Sequence, residues 1–162
     1  MSDSYDDRFS GISRLYGSSG TAALRSAHIA VIGIGGVGSW SAEALVRTGI
    51  GEITLVDLDE VCISNTNRQI HALTQTVGQS KVRVMAERLG AVNPDCSLNA
   101  EEYFFTEKTL RAVLDRPLSG VIDAIDSCLL YTSPSPRDQR GAGMPASACK
   151  KKGGGGGGGG GG

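Results

Sequence analysis

The chain has 162 residues, and its 16 Lys and Arg nearly balance 17 Asp and Glu. That balance is uneven: residues 1–127 hold 11 basic and 16 acidic side chains, a formal −5, while residues 128–162 hold the other five basic ones. An acidic body has no general electrostatic footprint for nucleic acid, so any such contact has to rest on a local patch or on sequence outside these residues. Only Cys62 and Cys96 fall in the body, which is no disulfide framework and fits a reducing, cytoplasmic setting. The opening Met1-Ser2-Asp3-Ser4-Tyr5-Asp6-Asp7 lacks the apolar core of a signal peptide, and no run of about 18 apolar residues offers a membrane segment.

The first element with a clear pattern is an apolar strand at about residues 28–33. It runs directly into Gly33-Ile34-Gly35-Gly36-Val37-Gly38-Ser39-Trp40. A G-x-G-G-x-G turn between a buried strand and a helix lets backbone approach a phosphate, and the helix start favours an anion. Gly33, Gly35, Gly36 and Gly38 are therefore candidate nucleotide-binding residues. Alone, the turn does not distinguish NAD, FAD and ATP. In the helix that follows, Val37, Trp40, Ala44 and Leu45 are expected to form the apolar face, which makes Trp40 a core residue rather than a base-stacking platform. The helix should stop near Gly49 and Gly51.

A second strand is expected over residues 52–57. It ends in Asp57, about where a ribose-binding acid belongs. A polar stretch follows that an ordinary dinucleotide fold does not require: Asp57-Leu58-Asp59-Glu60-Val61-Cys62-Ile63-Ser64-Asn65-Thr66-Asn67-Arg68-Gln69-Ile70-His71. Asn65 and Arg68, three apart, share a face of any helical turn, and with Lys81 they can supply the donors and positive charge a triphosphate needs. His71 reads as structural. Lys81 opens the clearest amphipathic helix, residues 81–93, with Val82, Met85, Ala86, Leu89 and Val92 at helical spacing and Pro94 as the stop; a lysine there is ordinarily a surface charge.

A third strand is expected near residues 97–105. Thr106 then caps a short helix bearing Leu110, Val113 and Leu114, which ends before Pro117. Val121-Ile122-Asp123-Ala124-Ile125-Asp126 reads as a fourth strand, with Asp126 a candidate Mg²⁺ carboxylate. Strand–helix alternation implies an α/β fold, a Rossmann-like, mostly parallel sheet with helices on both faces. Ligands bind beyond the carboxyl ends of such strands, where residues 33–38, Asp57 and Asp126 converge.

From Cys128 the sequence changes character. Cys128-Leu129-Leu130-Tyr131-Thr132-Ser133-Pro134-Ser135-Pro136-Arg137-Asp138 resembles the translation of a transposon-end sequencing adapter, and Lys150-Lys151-Lys152 gives way to an unbroken glycine run. A natural glycine linker is the alternative. Residues 128–162 are expected to be a non-native, disordered tail, and residues 1–127 the N-terminal part of a domain truncated after its fourth strand.

In order along the chain, Arg8-Phe9…Arg14-Leu15-Tyr16-Gly17, the glycine turn, Asp57-x-Asp59, Asn65-x-x-Arg68-Gln69, Gly78-x-x-Lys81 and Asp123-x-x-Asp126 resemble the ubiquitin-activating-like superfamily of ATP-dependent adenylating enzymes, to which ThiF and MoeB belong. The resemblance spans residues 8–127. The glycine turn and residues 65–73 look most like the branch that dehydrates threonylcarbamoyladenosine in tRNA; ThiF and MoeB types carry a Leu-Gln-Arg-Gln form of the second motif. The resemblance implies ATP and Mg²⁺ as cofactors, with Asp57 and Asp59 on the nucleotide and Asn65, Arg68 and Lys81 on its phosphates. Asp126 would hold Mg²⁺, and Arg14 would act as an arginine finger in the partner's site of a homodimer. The implied substrate is a modified tRNA, and residues 1–162 by themselves are expected to be inactive. The alternatives are adenylation of a ubiquitin-like sulfur carrier and, further off, an NAD-dependent oxidoreductase.

Overall fold

The computed structural model describes residues 5–103 and 106–125. Two helices lead in, α1 (Tyr5–Arg8) and α2 (Ser10–Ser26), the second bent at Gly17, where φ is 73°. They dock through Tyr5, whose hydroxyl donates to the Gly49 carbonyl at 2.5 Å and whose ring carries the Arg25 guanidinium 4.4 Å from its centroid. This cation–π contact and hydrogen bond tie the start of the chain to the end of the next helix.

Four strands follow: β1 (His28–Ile32), β2 (Glu52–Val56), β3 (Ser97–Glu101) and β4 (Gly120–Asp123). They form one sheet in the order β3-β2-β1-β4, with every neighbour parallel. The connections are α3 (Gly36–Arg47), α4 (Lys81–Val92) and α5 (Glu107–Leu114). The order reverses between β1 and β4, which opens a crevice at their carboxyl ends. Alternation along β1 splits the core. Val31, with Ile53, Leu55, Val82, Met85 and Leu89, buries one face, and Ala30 and Ile32, with Val56 and Val113, bury the other.

The α/β architecture expected from the alternating pattern is present, with shifts at element ends. β1 stops at Ile32 because Gly33 turns at φ 86°. β3 ends at Glu101 rather than at residue 105, and β4 begins one residue early and ends at Asp123. Thr106 caps α5 as expected, its hydroxyl accepting from the Thr109 N–H.

The face of α3 is a correction. Its buried residues are Gly38, Ser39, Ala42, Glu43 and Val46, whereas Val37, Trp40 and Ala44 face outward. Close approach explains this: a β-carbon on Gly38 would lie 1.8 Å from the Gly33 carbonyl oxygen and 3.3 Å from the Ala124 β-carbon. The helix start sits so near the sheet that only small side chains fit beneath it, and the larger apolar ones turn out. Trp40 is 54% exposed.

Glu43, inside that face, is stabilised by two cations. Arg88 donates from Nε to Oε2 at 2.9 Å and from Nη2 to Oε1 at 3.2 Å, and Arg47 donates from Nε to Oε1 at 2.8 Å. Burial pushes the Glu43 carboxyl up, but the hydrogen bonds from Arg88 and Arg47 outweigh it and hold the group below its ordinary value. The network fastens α3 to α4. Replacing Glu43 with Ala removes the buried carboxylate that both cations share and is expected to lower stability by about 2 kcal/mol. Parallel urea unfolding of the two proteins measures it.

Candidate functional site

The crevice is built from the turn between β1 and α3. Gly33 N–H donates to the Val56 carbonyl at 2.8 Å, and Ala124 N–H donates to the Ile32 carbonyl at 2.8 Å, so β1 is gripped from both sides as it ends. A β-carbon on Gly33 would meet the Ala124 carbonyl oxygen at 2.9 Å. With Gly38 pressed on Gly33, the turn is held open at Gly35 and Gly36, and the first N–H groups of α3 have no intrahelical partners.

Asp57 closes the turn from the side. Its Oδ2 accepts from the Ile34 N–H at 2.6 Å, and its Oδ1 accepts from the Asp59 N–H at 2.8 Å. Asp59 in turn takes Lys81. The Lys81 Nζ donates to Asp59 Oδ2 at 2.9 Å, and Lys81 N–H donates to the Asp59 carbonyl at 3.0 Å. The Lys81 side chain is 8% exposed, so it is a buried, paired cation and not a surface charge.

Asn65 and Arg68 share a turn, as their spacing requires. Asn65 is buried, and its Oδ1 accepts the Cys62 N–H at 2.9 Å, which closes the short 3₁₀ turn Ile63–Asn65. Arg68 lies across the glycine turn: a β-carbon on Gly36 would sit 3.5 Å from its Cγ and Cδ. Its Nη1 donates to the Ser64 carbonyl at 3.0 Å and to Asn67 Oδ1 at 2.9 Å, both neutral acceptors. Arg68 has no carboxylate partner among the described residues, so its charge is uncompensated beside the turn. The Trp40 Nε1–H donates to the Arg68 carbonyl at 2.9 Å and braces that loop against α3.

Two polar side chains that stand in the motifs but were assigned no role from the sequence also belong here. Gln69 and Ser39 are buried, and Gln69 Oε1 and Ser39 Oγ have no hydrogen-bond partner. The Gln69 Nε2 lies 4.0 Å from where a Gly35 β-carbon would stand. A polar residue on the inner face of an otherwise apolar helix was the available signal for Ser39. Buried polar atoms left unpaired beside an open glycine turn suit a polar ligand.

The predicted site residues are thus largely brought together. Gly33, Gly35, Gly36, Gly38, Asp57, Asp59, Asn65, Arg68 and Lys81 line or support one crevice at the carboxyl end of the sheet. Arg14 does not join them: it is exposed on α2 with no hydrogen-bond or ion-pair partner among the described residues. Asp126 lies outside the described residues, and among those described no group of three or more His, Cys, Asp or Glu could hold a metal ion. No described helix is long and apolar enough to cross a membrane.

The ThiF family model matches residues 9–132. The chain belongs to the ThiF family. Among its relatives is the tRNA threonylcarbamoyladenosine dehydratase of Escherichia coli (strain K12), 53% identical over 127 residues, covering 78% of this chain and 47% of the relative. The sulfur carrier protein adenylyltransferase of Thermus thermophilus is 35% identical over 111 residues, covering 68% of this chain and 41% of the relative. The crystal structure of the E. coli dehydratase in complex with ATP superposes with a TM-score of 0.76 at 53% identity, covering 78% of this chain and 52% of that one. The chain spans about half the length of the curated relatives it matches. As a ThiF-family chain it has the Rossmann-like sheet that its motifs implied.

His71 lies beneath this loop, 1% exposed, with neither ring nitrogen hydrogen-bonded. Burial first, and then the charges of Lys81 and Arg88, together lower its pKa to about 4. Above pH 6.5 the ring is neutral folded and unfolded, and this group leaves stability unaffected. Between pH 6.5 and 4 the unfolded chain takes up a proton that the folded one refuses. Stability is therefore expected to fall by about 3 kcal/mol across that window. Denaturant unfolding at stepped pH measures the fall, and His71→Leu should flatten it.

Proposed function

We propose that this chain carries the ATP-binding part of an adenylating enzyme that activates the carboxylate of threonylcarbamoyladenosine in tRNA and closes it to a ring with net loss of water. The observation that carries the reading is Arg68, a guanidinium with no carboxylate partner among the described residues, laid over an open glycine turn. That arrangement suits a dense anionic group beyond the needs of a dinucleotide's two phosphates. The dehydratase relatives, and the relative's structure with ATP, support the substrate and the nucleotide.

In this reading Asp57 and Asp59 hold the nucleoside side of ATP, and Asn65, Arg68 and Lys81 hold its phosphates. Reaching phosphate would require Lys81 to share or exchange its bond to Asp59. The substrate carboxylate oxygen attacks the α-phosphorus, the bond to the bridging oxygen breaks, and pyrophosphate leaves. Arg68 acts on the negative charge that gathers there. The urea group of the same nucleoside then attacks the activated carbonyl, AMP departs, and the proton of the attacking nitrogen is lost to solvent. Intramolecular attack carries effective molarities of about 10⁵–10⁸ M, so no protein nucleophile is required. Cys96 fits that absence: burial raises its thiol pKa to about 11, and the sulfur is inert at neutral pH.

Mg²⁺ is proposed to sit on Asp126 and on the phosphates, where one carboxylate plus phosphate oxygens meets its usual needs. When bound it offsets phosphate charge. Arg14, exposed on α2, is available to a second subunit, and a homodimer in the cytoplasm is the proposed setting. A full-length enzyme carrying this segment, incubated with ATP and tRNA bearing threonylcarbamoyladenosine, is expected to yield a nucleoside one water lighter by mass spectrometry, together with AMP. Arg68→Ala should slow this by about 100-fold or more. An unchanged nucleoside with adenylation of a ubiquitin-like carrier would move the protein to the sulfur-carrier class.

A further inference from the structure

Beside the crevice, on the outer side of α3, lies a groove of about 520 Å³ lined by Trp40, Glu43, Ala44, Arg47, Ile70 and Arg88. At its edge is the indole of Trp40, 54% exposed, yet fixed in orientation by its bond to the Arg68 carbonyl. Ala44 and Ile70 supply apolar lining. Arg47 and Arg88 share the single buried carboxylate of Glu43, so two cations meet one anion and the wall keeps a net positive charge. This is a local basic patch on a body whose formal charge is negative.

We propose that the Trp40 indole and this groove form a stacking platform for a nucleobase in a single-stranded segment of an RNA substrate, with Arg47 and Arg88 supplying charge for its backbone. The inference rests on the RNA-substrate reading above and adds the surface that reading lacks. An aromatic face beside guanidinium charge in excess of its one carboxylate partner suits single-stranded nucleic acid, since every base presents a π-face and every linkage a phosphate. Each guanidinium has five donors and gives only part of them to Glu43, so both can still bond phosphate oxygens. The platform adjoins Arg68, so a base stacked there lies next to the loop assigned to the phosphates of ATP.

The chain contains one tryptophan, so its fluorescence reports this site alone. Titration with an RNA hairpin that has an unpaired loop is expected to quench that emission saturably, whereas a fully paired RNA duplex and inorganic tripolyphosphate leave it nearly unchanged. Trp40→Ala is expected to weaken hairpin binding about tenfold, and Trp40→Phe, which keeps a ring face but loses the N–H, to retain most of it. ATP affinity is measured on the same variants. Equal losses for Phe and Ala, or equal losses of ATP and RNA affinity, would assign Trp40 to bracing Arg68 alone and overturn the proposal. Quenching by tripolyphosphate as strong as by the hairpin would overturn it too, as would a spectral shift that follows protein concentration in step with dimerisation by sedimentation. If ATP binds and the hairpin does not, the platform fails while adenylation stands; if the hairpin quenches and ATP does not bind, the reverse holds.

Discussion

The crevice depends on one carboxylate. Asp57, at the end of β2, accepts the Ile34 N–H with one oxygen and the Asp59 N–H with the other, and Asp59 then takes the Lys81 ammonium. Three elements are fixed by this relay: the turn leaving β1, the loop leaving β2 and the start of α4. A charged acceptor shortens and strengthens hydrogen bonds to backbone N–H groups, and here it does so where the glycine turn has no side chains of its own to hold it. Without Asp57, glycines that permit close backbone approach would equally permit the turn to collapse.

The same relay sorts the cations. Lys81 is paired with Asp59, whereas Arg68 rests on neutral oxygens, so the two cations are not electrostatically equivalent. His71, under the influence of both Lys81 and Arg88, stays neutral at physiological pH because burial makes a third charge there too costly. Positive charge is thereby concentrated at Arg68 and along the Arg47 and Arg88 wall. This separates the site from an ordinary dinucleotide fold, which needs the glycine turn and the acid after β2 but no arginine laid across the turn.

Much of the fold was legible because periodicity reports burial. Strand–helix alternation gave the order of elements, Pro94 and Pro117 marked helix ends, and the Asn65 to Arg68 spacing placed both on one turn. The face of α3 was not legible, because hydrophobicity alone assigned Trp40 and Val37 inward. The deciding fact was steric: Gly38 on the Gly33 carbonyl brings the helix too near the sheet for large residues. The burial and pairing of Lys81 were not legible for a related reason, since its partner Asp59 is 22 residues away and pairing across that distance leaves no local trace. Gln69 and Ser39 stood in the motifs, but the lack of partners for their buried oxygens did not show, as a one-dimensional pattern cannot show which polar atoms lack partners.

The central claim is that this Rossmann-like crevice is a triphosphate site. Equilibrium binding of ATP with Mg²⁺ and of NAD, measured by calorimetry on the same protein with and without Arg68→Ala, tests it most directly. ATP is expected to bind more tightly than NAD, and Arg68→Ala to weaken ATP binding far more than NAD binding. Tight NAD binding that is indifferent to Arg68, with no measurable ATP binding, would contradict it.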